Sequence, residues 1–241
     1  MIHLCAAGAA RAASWPTIRA IEFSGNDVTR PLTMSRELLI RVGDPADPVM
    51  IERSRQAIQD LGLFRAVEAS TTPRADGVTV RFTVHEKWRV LPLPRVSGNS
   101  NGEYGYGGQL KWNNLWGLNQ TLNLQAMSQK YHDPDKTAQQ SLQFGYGVPF
   151  LGDTRYGLSV SAGLINQASL DSQGRPYHES IDSAQVMGSY ALSPEHPSKG
   201  WNVAGGLFWL RDAPSGAYAP TPISIGIGPV AAFTYDDLRY L

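Results

Sequence analysis

The chain has 241 residues, enough to bury a core without disulfides or metals, and its 21 basic side chains are matched by 21 acidic ones. A formal net charge of zero excludes charge steering toward nucleic acid or an anionic surface as the main source of affinity. Charged residues make up 17% of the chain, below the ~25% usual in soluble domains, while glycine occurs 24 times and aromatics reach 10%, so something other than charge must coat part of the surface.

Cys5 is the only cysteine, which leaves no intramolecular disulfide, cysteine zinc site or cysteine redox pair. Residues 1–15 are apolar and small and carry an A-x-A end at Ala10-Arg11-Ala12 without a basic leader. The expectation there is the remnant of a signal peptide or a disordered Ala-rich terminus. Bulky Leu4 before Cys5 speaks against a lipoprotein signal. No later run approaches the ~18 continuous apolar residues of a membrane helix, so any membrane crossing falls to strands.

Residues 16–87 are dense in charge and poor in glycine, and they read as strand, helix, helix, strand, strand. Thr17 to Phe23 is β-rich and ends in the turn pair Gly25-Asn26. Leu38, Leu39 and Val42 fall at helical spacing, which predicts a helix over Leu32 to Val42, stopped by Gly43-Asp44-Pro45. Asp47 then caps a second helix with Pro48 in its first turn, Met50, Ser54, Ala57, Ile58 and Leu61 on one stripe, and Gly62 at its end. Two short strands follow, Phe64 to Ser70 and Val78 to Val84, joined by a turn over Pro73 to Gly77. In the second, Val78, Val80, Phe82 and Val84 alternate with Thr79, Arg81 and Thr83, the mark of a sheet with one covered face.

Residues 88–241 change texture to segments of roughly ten residues in which apolar residues alternate with Gly, Ser, Gln and Asn. Leu122-Asn123-Leu124-Gln125-Ala126 and Leu158-Ser159-Val160-Ser161-Ala162 are examples. A soluble sandwich would carry Lys, Glu and Thr on its polar face, whereas Gly, Ser, Gln and Asn suit the lumen of a membrane barrel whose apolar face meets lipid. Eight strands are predicted: Val90 to Ser97, Tyr104 to Asn113, Gln120 to Lys130, Ala138 to Val148, Arg155 to Asn166, Ser180 to Leu192, Gly200 to Arg211 and Pro222 to Tyr235. Their connections alternate between short (115–119, 149–154, 193–199) and longer or more polar (131–137, 167–179, 212–221), as periplasmic turns and extracellular loops do. Aromatics such as Trp112, Tyr156, Tyr190, Trp201 and Tyr235 sit near strand ends, where an interfacial girdle would hold them, although a sandwich core could also use them.

Ile18 to Asn26 (IRAIEFSGN), Glu37-Leu38-Leu39 to Gly43-Asp44, Leu61 to Val67 (LGLFRAV) and Val80 to Lys87 (VRFTVHEK) resemble a POTRA domain. Gly105 to Leu124, with its Asn113 to Gly117 turn (NNLWG), resembles the early barrel of the Omp85 superfamily, whose members include BamA, TamA and bacterial surface antigens. Tyr235 to Arg239 (YDDLR) resembles a segment near mid-barrel. The resemblance implies a POTRA domain, βααββ and α+β, followed by an antiparallel transmembrane β-barrel portion of about eight strands, part of an expected sixteen-stranded barrel. The remaining strands, and the Arg-Gly-Phe-type motif of the sixth extracellular loop, would lie past Leu241. One POTRA unit is found, where most relatives in barrel assembly carry several.

The same resemblance implies an outer-membrane protein with its POTRA domain in the periplasm, acting in outer-membrane protein assembly and insertion or in protein translocation. It implies as partners outer-membrane lipid, unfolded outer-membrane or secreted clients, and periplasmic chaperones or lipoproteins. A client-docking edge maps to Phe64, Arg65, Ala66, Val67, Glu68, Ala69 and Ser70, where an extended segment would add through main-chain hydrogen bonds; a spacer's solvent face is the plain alternative. A barrel seam maps to Val90, Leu91, Pro92, Leu93, Pro94, Arg95 and Val96, where each proline removes a donor and should weaken pairing, unless the prolines are incidental. Two further classes stay open: a two-partner-secretion translocator pore, and a self-contained small barrel acting as adhesin or structural protein, which calls for closure between the first and last strands.

Enzyme chemistry lacks a convergent set. His132 beside Asp133 and Asp135, and His178 with Glu179 and Asp182, read as solvated loops rather than metal sites, and the other histidines, His3, His85 and His196, are scattered. Gly105-Tyr106-Gly107-Gly108 has no following Lys-Ser/Thr and lies in a strand, not a phosphate loop. No catalytic residue, cofactor or metal is therefore expected, and no nucleic-acid partner.

Overall fold

A computed structural model describes residues 15–100, 102–131, 138–193, 198–220 and 222–237. The Ala-rich opening, the His132-Asp133-Asp135 cluster, His196 and the end of the YDDLR segment lie outside the described residues.

The N-terminal domain begins with β1 (Ile18–Ser24) and α1 (Pro31–Ser35). The helix expected over Leu32 to Val42 forms only its first turn. Beyond it the Leu39 amide donates to the Ser54 hydroxyl at 3.0 Å and the Arg41 amide to Asp44 Oδ2 at 2.8 Å, so side chains take the donors that a helix would have needed. Helix α2 (Pro48–Gln59) follows the expected plan: Asp47 Oδ1 accepts from the Val49 amide at 2.9 Å, Pro48 opens the first turn, and Ile51, Ser54, Ala57 and Ile58 are buried. Gly62 leaves the helix at φ +71°, a left-handed conformation that glycine adopts without strain.

Strands β2 (Phe64–Arg74) and β3 (Gly77–Glu86) run longer than predicted, and Ala75-Asp76 alone joins them. The expected five-residue turn is mostly strand because pairing continues to Arg74 opposite Gly77. The sheet order is β1-β3-β2, with β1 parallel and β2 antiparallel to the central β3. Val78, Val80, Phe82 and Val84 of β3 are buried against Ile18, Met34, Ile58 and Phe64, so the alternation legible in the sequence is the core of this domain.

Residues 87–89 lead into eight consecutive antiparallel strands: β4 (Val90–Gly98), β5 (Tyr104–Leu115), β6 (Gln120–Lys130), β7 (Gln139–Val148), β8 (Tyr156–Leu170), β9 (Pro176–Ala191), β10 (Gly200–Ser215) and β11 (Ser224–Asp236). Each pairs with its chain neighbour, and β4 and β11 end the sheet unpaired with each other among the described residues. The closure required of a self-contained eight-stranded barrel is therefore not formed by them. Two loops expected from polarity are hairpin arms instead: β8 and β9 stay in register from Gln167 opposite Glu179 up to Leu170 opposite Pro176, and β10 runs on to Ser215. Polar pairs carry these extensions, as where Gln167 and Ser169 both donate to Glu179 Oε2 at 2.7 and 2.8 Å.

The register shows what each face carries. One transverse row reads Val90, Trp112, Leu122, Tyr146, Val160, Val186, Leu207 and Pro229, apolar or aromatic at every strand. The neighbouring row, one residue along and on the opposite face, reads Leu91, Lys111, Asn123, Gly145, Ser161, Gln185, Phe208 and Gly228. The apolar face is bare: Val186 is 50% exposed, Leu207 63% and Ile227 72%. So wide an apolar surface on one side of a sheet needs lipid or a covering partner. At the end of the sheet nearest the N-terminal domain, Tyr156 packs on Tyr190 at 5.1 Å, and Trp201 on Phe233 and Tyr235 at 4.5 and 4.9 Å, forming a girdle of rings.

Candidate functional site

Strand β2 is an outer strand of its sheet, pairing with β3 only. Of the seven residues mapped to a docking edge, Phe64 and Val67 turn their side chains into the core, Ala66 and Ala69 are half-buried, and Arg65, Glu68 and Ser70 are exposed. Part of this edge is already engaged, because Arg55 Nη1 donates to the Val67 carbonyl at 3.0 Å while Glu52 holds the rest of the guanidinium at 2.7 to 2.9 Å. The exposed length is the far part of the strand, Ser70 to Arg74.

Strand β4 ends the large sheet, with Val90, Leu93 and Val96 exposed. Pro92 and Pro94 face Leu110 and Gly108 in a register that runs unbroken from Val90 to Gly98. Prolines are tolerated in an edge strand when the missing N–H points to the open side, and an unbroken ladder is the arrangement that placement gives. Placed in that way, the prolines would thin out donors on the unpaired edge.

Between the two edges lies an interface that brings the domains together at three turns. The first is the β5–β6 turn, where Asn114, Trp116 and Asn119 take positive φ values of 54°, 54° and 57° around Gly117. Arg30 donates its amide to the Gly117 carbonyl at 2.9 Å and its Nε to the Trp116 carbonyl at 3.1 Å, and the Thr33 hydroxyl reaches the same Gly117 oxygen at 2.8 Å. Asn114 Nδ2 donates to the buried Thr29 hydroxyl at 2.8 Å, which in turn donates to Glu86 Oε1 at 2.5 Å. The last residue of β3 is thereby tied to the β5–β6 turn of the large sheet.

The second is the β7–β8 turn, where Arg36 Nη2 donates to the Gly152 carbonyl at 2.5 Å and its guanidinium carbon stands 4.5 Å from the Phe150 ring centroid. The third is the β9–β10 turn. There the Ser198 hydroxyl donates to Glu37 Oε1 at 2.5 Å, and Lys199 is paired with Asp60. Glu37 is 2% exposed. Burial pushes its carboxyl above the usual carboxylate range, against the downward pull of hydrogen bonds from the Ser198 side chain and backbone and of the Arg36 and Lys199 charges. Above this third contact, Asp60 and Leu61 close a cavity of about 410 Å³ walled by the polar face of the sheet, with Ser189, Asn202, Ala204, Thr234 and Asp236. Among the described residues no group of three or more His, Cys, Asp or Glu converges as metal ligands.

A family described as "Surface antigen variable number repeat" (POTRA) matches residues 16–87, and one described as "Haemolysin secretion/activation protein ShlB/FhaC/HecB" matches residues 97–187. The outer membrane protein assembly factor BamA of Nitratidesulfovibrio vulgaris is 37% identical over 73 residues, 30% of this chain and 9% of that protein. BamA of Neorickettsia risticii is 31% identical over 107 residues, 44% of this chain and 14% of that protein. The crystal structure of BamA from Haemophilus ducreyi lacking POTRA domains 1–3 superposes with a TM-score of 0.64 at 16% identity, over 93% of this chain and 45% of that one. CdiB from Escherichia coli superposes at 0.57 and 16% identity, over 92% and 42%. The chain belongs to the Omp85 superfamily.

The chain spans under half the length of these solved Omp85 structures, and the matched part spans at most 14% of the two BamA sequences. Its POTRA domain is followed by an open eight-stranded antiparallel sheet that matches part of the BamA barrel. Both edges singled out in the sequence are outer strands of their sheets, but the structure does not bring them together into one cleft. The interdomain contacts were missed. The NNLWG turn was visible as a turn, and Asn, Gly and Asn at its corners signal left-handed backbone. Nothing local shows that Thr29, Arg30 and Thr33 would meet it from more than eighty residues away.

Proposed function

We propose that this chain is the POTRA domain and part of the barrel of an outer-membrane Omp85 protein that inserts or translocates client polypeptides. The observation that carries this is the pair of incompletely paired strands, β2 and β4, joined on one chain through the short 87–89 linker, with the POTRA domain seated on the turns of the sheet. An unfolded client segment adds to the far part of β2 by main-chain hydrogen bonds, a mode that asks little of its sequence. Strand β4 offers the next template, and its two prolines keep that pairing reversible. The bare apolar face rests in outer-membrane lipid, the POTRA domain lies in the periplasm, and periplasmic chaperones or lipoproteins deliver clients to it. The relatives support this in kind, being named as assembly factors or matching secretion proteins.

A photo-crosslinking amino acid placed at Thr72 on β2 and, separately, at Val96 on β4 of the full-length protein tests the reading in cells. Both positions are expected to trap unfolded outer-membrane or secreted polypeptides, while Val49 on the exposed side of α2 traps none. Equal yields at all three would overturn it. A second reading has its own support, since the haemolysin secretion family covers residues 97–187. A translocator of that kind would crosslink to one dedicated secreted substrate instead of many barrel proteins.

A further inference from the structure

The three turns that hold the POTRA domain differ in their distance from the linker and in their chemistry. The β5–β6 turn adjoins the linker, since the Asn113 amide donates to the Arg89 carbonyl at 2.8 Å, and its Trp116 and Gly117 carbonyls accept from the Arg30 Nε and amide. Lying beside the linker, this turn is the natural pivot for the domain. The β9–β10 turn stands at the far side, four strands along the sheet, and its contacts are ionisable side chains.

Lys199 is engaged by Asp60, whose side chain is 4% exposed. Arg36, the other nearby cation, is turned to the Gly152 carbonyl and the Phe150 ring, with Glu37 and then Asp153 acting on it electrostatically. Arg41, Asp44, Asp153 and Arg155 line a separate cleft that includes Arg36 but not Glu37. Arg36 and Lys199 both act on Glu37 through space, but each is engaged elsewhere, and the groups that hydrogen-bond its carboxyl are the Ser198 hydroxyl and amide. A buried carboxylate with two neutral donors is poorly solvated, whereas the protonated acid keeps its hydrogen bonds and carries no desolvation penalty.

We propose that Glu37 is a protonation-controlled latch: with its proton on, it holds the POTRA domain closed over the polar-face cavity at the β9–β10 turn, and losing that proton frees the domain to swing on the β5–β6 hinge. The sign follows from linkage. Closed, the carboxyl binds its proton more tightly than an exposed Glu; open, it titrates in the ordinary range near ~4.3. The closed state therefore holds more protons. Closure is strongest at and below the ordinary carboxylate range and is lost as pH rises through the raised value of the closed form. The latch goes beyond the client-handling reading and does not need it, because domain closure is measured with no client present.

The test uses the full chain in lipid nanodiscs, Cys5→Ser, with fluorophores at Arg65→Cys on β2 and Gln173→Cys on the β8–β9 hairpin. The open fraction is read from energy transfer as pH rises from about 4 to about 8. The wild-type background is expected to open with rising pH. Glu37→Gln, a neutral stand-in for the protonated acid, should stay closed throughout. Glu37→Ala should raise the open-to-closed ratio about tenfold at the lower pH, the effect of one buried hydrogen-bonding partner lost. Ser198→Ala, on the barrel side, should shift it the same way and carries the test should the Glu37→Ala chain fail to fold. A wild-type chain that ignores pH in this range, or a Glu37→Gln chain that opens with the wild-type profile, overturns the latch. Loss of crosslinking at Thr72 with the latch response intact would count against client docking alone.

Discussion

A methyl group added at Gly117 would sit 2.0 Å from the Val28 carbonyl oxygen, and this residue's φ is +73°. Both facts forbid a side chain, because a backbone oxygen cannot step aside as a flexible side chain can and left-handed backbone is strained for residues with a Cβ. Gly117→Ala is expected to push the hinge apart by roughly 1–3 kcal/mol. The reporter is the Arg30 amide, whose acceptor is the Gly117 carbonyl; its hydrogen-exchange protection should fall about tenfold or more while that of β3 amides stays put. Unchanged protection at Arg30 would mean the turn shifts freely and holds nothing. Gly117 could be named from sequence as a turn glycine, but its role as a contact surface could not, since the crowding atom belongs to Val28 in the other domain.

Among the elements, legibility followed how local the cause was. Helix α2 was readable because its cap, its proline and its buried stripe all lie within its own residues. The helix expected over Leu32 to Val42 was not, because the hydroxyl that captures the Leu39 amide comes from Ser54 on α2. The hairpin arms of β8, β9 and β10 are not legible for a related reason: alternation of apolar residues marks only the part of a strand with one apolar face, and beyond it Gln167, Ser169 and Glu179 keep the ladder with polar chemistry. The prolines of β4 were noticed, but which edge they weaken depends on pairing that the sequence does not display. Removing them has a definite consequence. Pro92→Ala with Pro94→Ala restores donors to the open edge while leaving the β4–β5 register in place, so client crosslinks at Val96 should persist several-fold longer in a chase and chain-to-chain dimers should rise. Shorter-lived crosslinks would instead place the missing donors on the β5 side.

At the scale of the whole molecule, a net charge of zero and a low share of charged residues find their cause in the large sheet, whose two faces divide the work of solvation. The row through Val160, Val186 and Leu207 has no polar group to offer water, and the row through Ser161 and Gln185 has little for lipid. One residue of register separates them, so equal changes of charge at adjacent positions should have unequal costs. Leu207→Arg places a cation on the apolar face near the middle of β10 and is expected to cost about 2–4 kcal/mol of insertion free energy, whereas Gln185→Arg on the polar face should cost about 1 kcal/mol or less. Folding of the full-length protein into phosphatidylcholine vesicles, followed by heat-modifiable gel mobility and protease protection, separates the two. If Gln185→Arg proved the more damaging, or if both chains folded equally well in detergent-free buffer, the apolar rows would have to be packed inside a soluble body. That outcome would remove lipid from the account of this sheet and leave the POTRA domain and its docking turns as the part that stands.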